Sequence, residues 1–128
     1  MDAKKVLSVD DSAMIRKVIG GAAAVMGYDL LEAANGQEAL DQVSAHRKEI
    51  ALVLLDINMP VMTGLEFLTI FRANPDNDMI PVVVVSTESE TKSVFDALKL
   101  GASAYITKPF STEAVERKIA ELVDETKR

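Results

Sequence analysis

Ala51-Leu52-Val53-Leu54-Leu55-Asp56-Ile57-Asn58-Met59-Pro60 runs five apolar residues straight into an aspartate and a proline-marked turn. A strand with one wet face would alternate apolar and polar residues. An unbroken Val, Leu and Ala block instead reads as a parallel strand covered on both faces. Residues 5–9 and 82–85 repeat the pattern, and residues 28–33 and 104–107 are weaker strands. Between them, amphipathic stretches predict helices over 12–26, 36–47, 64–73, 89–100 and 112–127. Gly27 and Gly101 fall just past helix ends, where a left-handed residue is wanted. Asn35 with Glu38, and Thr63 with Glu66, have the spacing of a cap residue answered by an acid. Asn74-Pro75 stops the third helix, because the residue before proline avoids helical geometry. The expected architecture is α/β, a (βα)5 doubly wound parallel five-stranded sheet with right-handed crossovers and helices on both faces.

A chain of 128 residues suits a single domain spanning 1–128, and 48% hydrophobic residues excludes a disordered tail. The last predicted helix runs to the end of the sequence, so no output domain is expected to follow. There is no cysteine, hence no disulfide framework, thiolate metal site or cysteine nucleophile. No secretory leader is visible and no apolar run is long enough to cross a bilayer, so a cytoplasmic chain without membrane insertion is expected. A net charge of −6 and a pI near 4.8 have the wrong sign for coating phosphate backbones, which argues against direct nucleic-acid binding. Gly20-Gly21 interrupts the first helix at about 1 kcal/mol per glycine relative to alanine. It reads as close packing on the sheet, or else as a flat surface for a partner. The six methionines read as core filler.

The polar residues that interrupt the apolar pattern share one kind of location. Asp10-Asp11 follow the first strand, Asp56 the third, Ser86-Thr87 the fourth and Lys108 the fifth. In an open parallel sheet those carboxyl ends lie along one edge, where such folds bind ligands. Each residue alone has a plain structural explanation: a turn or cap for the aspartates and Ser86-Thr87, a solvated lysine for Lys108. Four such coincidences at four strand ends favour a shared pocket. Crowded carboxylates would drive one of their number to take up a proton unless a cation were present. Mg²⁺, which takes a few carboxylates, waters and phosphate oxygens, is the natural counterion. A carboxylate nucleophile, a metal, an ammonium and a hydroxyl are the parts that hold a transferring phosphoryl group.

Val9-Asp10-Asp11-Ser12, Leu54–Pro60 with Gly64, Pro81–Ser86, Gly101-Ala102 and Lys108-Pro109-Phe110, in this order, resemble the response-regulator receiver domains of the stand-alone CheY-like type. The resemblance covers the chain essentially end to end. It implies a flavodoxin-like fold with strand order 2-1-3-4-5. It implies that Asp56 is phosphorylated by a histidine kinase or phosphotransfer protein. It further implies that Asp11, Asp56 and the backbone carbonyl of Asn58 bind Mg²⁺ directly, with Asp10 acting mainly through water. Lys108 would pair with the phosphoryl oxygens, with a cis Lys108-Pro109 bond. Ser86 would move its hydroxyl onto the phosphoryl group and Tyr105 would swing inward in response. The readout face for a downstream target would be helix 4, strand 5 and helix 5, including Phe95, Lys99 and Tyr105. Asn58 and Glu88 occupy the positions that tune phosphoryl loss and resemble the short-lived chemotaxis regulators. Thr87 departs from the usual alanine or glycine and its branched side chain would crowd the site.

Three other readings compete with this one. A Mg²⁺-dependent aspartyl-phosphate phosphatase of the haloacid dehalogenase type places a second acid two residues after the nucleophile, where this chain has Asn58. A flavodoxin-like electron carrier needs a phosphate loop after the first strand, where this chain is acidic. A pseudo-receiver would lack the complete acidic pocket and Lys108. His46, the only histidine, reads as a helix-end residue rather than a relay group or ligand. The expectation is a non-enzymatic switch with self-catalysed phosphotransfer and autodephosphorylation, leading to chemotaxis or motility, or else an intermediate phosphorelay carrier.

Overall fold

The computed structural model describes residues 3–126. Five strands, β1 (Lys5–Val9), β2 (Asp29–Ala33), β3 (Ile50–Asp56), β4 (Val82–Ser86) and β5 (Ala104–Thr107), form one parallel sheet in the order β2-β1-β3-β4-β5. Five helices alternate with them: α1 (Ala13–Val25), α2 (Gly36–His46), α3 (Gly64–Ala73), α4 (Thr91–Lys99) and α5 (Thr112–Thr126). The doubly wound architecture and the flavodoxin-like strand order agree with the sequence reading. The predicted extension of the last helix to residue 127 lies outside the described residues.

The strand alternation divides the core in two. Leu7, Val9, Val53, Leu55, Val82 and Val84 point to one face, against Ala39 and Val43 of α2, Phe67, Leu68 and Phe71 of α3, and Ala97 of α4. Val6, Leu52, Leu54, Val83 and Val85 point to the other, against Ile19, Ala22 and Ala23 of α1 and Val115, Ile119 and Val123 of α5. Each fully buried Val, Leu or Phe contributes about 1.5–3 kcal/mol relative to exposure. That is why β3 and β4 carry no polar residue until their carboxyl ends. The methionines depart from this picture. Met59 is buried, but Met14 and Met79 are 75% and 80% exposed. They lie on outward helix and loop positions, so they are not core filler.

Several boundaries follow from local bonding. Ser12 caps α1 by accepting from the Ile15 N–H at 3.2 Å. Thr63 and Glu66 make the reciprocal cap of α3, Thr63 N–H donating to Glu66 Oε1 at 2.8 Å and Glu66 N–H to Thr63 Oγ1 at 3.2 Å. At α2, Asn35 accepts from the Glu38 N–H as expected, but Glu38 reaches back to the Ala34 N–H instead of that of Asn35. The fourth helix starts later than residue 89. Glu90 N–H donates to the Thr87 carbonyl at 3.1 Å, closing a 3₁₀ turn over Glu88–Glu90 before α4 begins, and Thr87 N–H donates back to Glu90 Oε1 at 2.7 Å. Gly27 and Gly101 have φ of 87° and 109°, the left-handed geometry their positions suggested.

The Gly20-Gly21 pair separates into two cases. A Cβ on Gly20 would meet Leu30 Cδ2 at 2.8 Å, so packing on β2 accounts for it. Gly21 is exposed and a Cβ there would meet nothing within 4 Å. Gly64 is tighter than either, since its Cβ would lie 2.6 Å from the Asp56 carbonyl oxygen and 2.7 Å from Ile57 Cα. These are backbone atoms that cannot yield cheaply. Urea unfolding of two alanine variants should therefore split in sign. Gly21→Ala should stabilise by about 0.5–1 kcal/mol, and Gly64→Ala should destabilise by about 1–3 kcal/mol. A tolerated Gly64→Ala would contradict the close approach of α3 to the end of β3.

Candidate functional site

The sheet register builds the site. The order of strand addition reverses at β1: it pairs in parallel with β2 on one side and β3 on the other, with Val9 opposite Leu55. The residues that follow, Asp10 and Asp56, therefore emerge side by side at the switch point. Asp56 lies opposite Val85 and Ser86 opposite Thr107, which brings Ser86 and Lys108 to the same edge. Lys108 N–H donates to the Ser86 carbonyl at 2.6 Å, and the Lys108-Pro109 bond is cis as expected.

One carboxylate oxygen from each of Asp10, Asp11 and Asp56 lies within 4.8 Å of the others. Asp10 and Asp56 are buried, whereas Asp11 is exposed at the rim. Lys108 Nζ stands 3.4 Å from Asp10 Oδ2 and 3.6 Å from Asp56 Oδ2. The second oxygens of the buried pair are occupied by backbone: Asp10 Oδ1 accepts from Ser12 N–H at 2.9 Å, and Asp56 Oδ1 from Asn58 N–H at 3.2 Å. The turn reading of the acidic pair holds for Asp10 Oδ1, and it leaves Oδ2 of the same carboxylate facing Asp11, Asp56 and Lys108. Asp10 Oδ2 is buried with no hydrogen-bond partner. A buried carboxylate oxygen with no hydrogen bond and only the Lys108 ammonium at 3.4 Å, beside two further hard oxygen donors, suits a divalent cation such as Mg²⁺.

Three negative charges against one ammonium leave the pocket net anionic. The Asp56 carboxyl is pushed up from 3.8 to about 6. Burial is the largest cause, and repulsion from Asp10 and Asp11 adds to it. The Asn58 N–H and Lys108 oppose the rise.

Of the other predicted residues, Ser86 is buried at the end of β4, and Thr87 and Glu88 are exposed beside it. Thr87 Oγ1 is tied to Glu90 Oε1 at 3.1 Å and to Ser89 Oγ at 2.9 Å. Phe95 (66% exposed) and Tyr105 (51% exposed) flank a groove with Val94, Leu98 and Thr107. Lys99 Nζ sits 5.6 Å over the Phe95 ring. The structure thus gathers Phe95, Lys99 and Tyr105 on one face, along a groove that reaches Ser86. His46 pairs with Glu49 at 3.0 Å at the opposite edge of the sheet from the acids.

Two features escaped the sequence. Arg16 reaches from α1 to the Asp10 backbone carbonyl and, through Nε, to Glu32 Oε1 at 2.9 Å. A lone arginine in the first turns of an amphipathic helix carries no signal of such a contact. Val61 has φ of 71°, and Met62 N–H donates to the Pro60 carbonyl at 2.8 Å, which together make a positive-φ γ-turn. Valine is among the residues least suited to this region, so nothing local announces the turn.

The chain belongs to the response regulator receiver domain family, which it matches over residues 6–120. Within that family it is a CheY-like receiver of two-component signalling. It is 35% identical over 120 residues to a chemotaxis protein CheY homolog of Campylobacter jejuni, covering 93% of this chain and 92% of that one. It is 36% identical over 116 residues to chemotaxis protein CheY1 of Helicobacter pylori, covering 90% and 93%. The structure of the chemotaxis response regulator CheY4 of Vibrio cholerae superposes with a TM-score of 0.85 at 32% identity, covering 93% of this chain and 98% of that one. Among the described residues no helix is long and apolar enough to cross a membrane.

The raised Asp56 value has a consequence for stability. The folded protein holds the Asp56 proton more tightly than the unfolded chain, so the associated stability is fully present below 3.8 and lost as pH rises through about 6. In metal-free thermal melts, the protein should lose stability relative to Asp56→Asn between about pH 4 and pH 7. Parallel pH curves for the two proteins would show that Asp56 titrates normally.

Proposed function

We propose that this receiver takes a phosphoryl group onto Asp56 from a histidine kinase or phosphotransfer protein, in a Mg²⁺-dependent reaction, and signals through a protein partner in chemotaxis or motility. The observation that supports this most is the convergence of Asp10, Asp11, Asp56 and Lys108 on one edge, with Asp10 Oδ2 buried and lacking a hydrogen-bond partner. The chemotaxis pathway rests on the CheY names of its relatives.

Asp11, Asp56 and the Asn58 carbonyl would hold the ion, with Asp10 contributing through water. Mg²⁺ supplies charge neutralisation to the carboxylates and to the phosphoryl oxygens. Asp56 acts as nucleophile: one carboxylate oxygen forms the P–O bond as the donor's P–N bond breaks. The electron pair leaves on the histidine ring, which takes up a proton. Its 3.6 Å partner Lys108 faces the charge that spreads over the equatorial phosphoryl oxygens. The Ser86 hydroxyl, buried beside the same edge, donates to the new dianion. Vacating its resting place frees volume toward Tyr105, now half-exposed, and this carries the signal to the face of α4, β5 and α5 with Phe95 and Lys99. The chain does not turn over substrate; the same site later admits water to Asp56, under control of Asn58 and Glu88 at its mouth.

Intact-mass measurement with acetyl phosphate tests the reading. With Mg²⁺ the protein should gain one phosphoryl group, and neither Asp56→Asn nor a metal-free sample should. Modification of Asp56→Asn at the same rate would sink the assignment. After removal of the donor, the added mass should decay quickly; survival for many hours would contradict the chemotaxis-type lifetime. In the same time course Thr87→Ala should be modified faster, because a branched, exposed side chain directly after Ser86 would crowd the approach of donor or water. An unchanged rate would remove Thr87 from the account.

A further inference from the structure

The acidic pocket is supported from outside by a residue that does not enter it. Arg16, on the second turn of α1, donates through Nη1 to the backbone carbonyl of Asp10 and through Nε to Glu32 Oε1 at 2.9 Å. Its own side chain is only 16% exposed, whereas its partner Glu32 is 52% exposed at the surface. Glu32 is on β2, and its own carbonyl accepts from Gln42 Nε2 of α2 at 3.0 Å. The Asp10 N–H is also committed, to the Ala33 carbonyl at 3.0 Å, and Asp10 Oδ1 to Ser12 N–H at 2.9 Å. Every polar group of Asp10 except Oδ2 is therefore held, and Arg16 holds the one just upstream of Asp11.

We infer that Arg16, anchored by Glu32, is a positioning residue for the metal site: it fixes the Asp10-Asp11 peptide so that both carboxylates present their free oxygens to the cation. This inference rests on the Mg²⁺ reading of the acidic cluster above. Two properties of arginine make it suited to the task. The guanidinium is a rigid fork whose Nε and Nη donors reach two acceptors at a set spacing, where a lysine ammonium is a point charge on a flexible stem. A backbone carbonyl clamped in this way transmits orientation directly into the next residue, because the peptide unit is planar. Partners of this outer kind orient metal-binding groups and are worth about 10–100-fold in affinity.

Electrostatics and positioning predict opposite signs. A positive charge beside a cation site repels the cation, so Arg16 acting through charge alone would weaken metal binding, and its loss would strengthen it. Acting through position, its loss weakens binding. The double variant Arg16→Gln with Glu32→Gln removes one charge of each sign and leaves the net charge unchanged. Mn²⁺ binding, followed by the loss of the free-ion electron paramagnetic resonance signal, should weaken about tenfold in the double variant. Arg16→Lys, which keeps the charge and loses the fork, should weaken it similarly. Metal-free melts check that each variant is folded at the working temperature. If the double variant is not folded, Glu32→Gln alone, which leaves Arg16 tethered at one end, should still weaken Mn²⁺ binding several-fold. Unchanged or tighter binding in folded variants overturns the positioning role. No Mn²⁺ binding by the unmodified protein overturns the metal reading itself, and with it this inference.

Discussion

Three carboxylates and one ammonium at the edge of a parallel sheet form the constraint around which the rest of this molecule is arranged. In water such charges would disperse. Here the register of β1 against β3 forces Asp10 and Asp56 together, and burial raises the cost of keeping Asp56 ionised. Folding supplies the energy for this from the two apolar layers on either side of the sheet. A site with stored repulsion is one whose state changes when charge is added, which is what a switch requires.

The surroundings of the acids are built to hold them still. Gly64 lets α3 come within contact of the Asp56 and Ile57 backbone, and its N–H donates to the Ile57 carbonyl at 3.2 Å. The Thr63–Glu66 cap begins α3 at that point, and the γ-turn at Val61 redirects the chain toward it. A valine at positive φ costs of order 1–3 kcal/mol, and it sits in the loop that also carries Asn58. On the other flank, Arg16 and Ser12 hold the backbone and one oxygen of Asp10. The outward face that bears Phe95 and Tyr105 is looser by comparison. Both aromatics are half-exposed or more, and a groove runs between them and Thr87. A rigid pocket next to a less packed face gives a local change of charge somewhere to act.

How much of this was readable from one sequence depended on whether the physics was local. Continuous apolar blocks at 51–55 and 82–85 can only be strands buried on both sides, so the sheet and its helical layers were legible. Glycine just past a helix and Thr-x-x-Glu before one are statements about a few neighbouring bonds, and they held at Gly27, Gly101 and Thr63. Choices between neighbouring partners went astray. The start of α4 shifted because Glu90 answers Thr87 in a 3₁₀ turn. Glu38 found the Ala34 N–H and not that of Asn35. Methionine, apolar but flexible, gave no indication of which copies would face water.

By itself the sequence determined that Asp10, Asp11, Asp56, Ser86 and Lys108 each end or follow a strand, because hydrophobic period and turn chemistry are written into adjacent residues. It determined too that these ends share one edge, since parallel strands joined by helices run the same way. Only the tertiary structure decided which carboxylate oxygens accept backbone hydrogen bonds and which face Lys108. It alone decided that Arg16 braces Asp10, and that Lys108 stands between Asp10 and Asp56. Those outcomes depend on distances of a few ångströms between residues far apart in the chain. Such distances are set by the register and packing of the whole sheet, which no short stretch of sequence encodes.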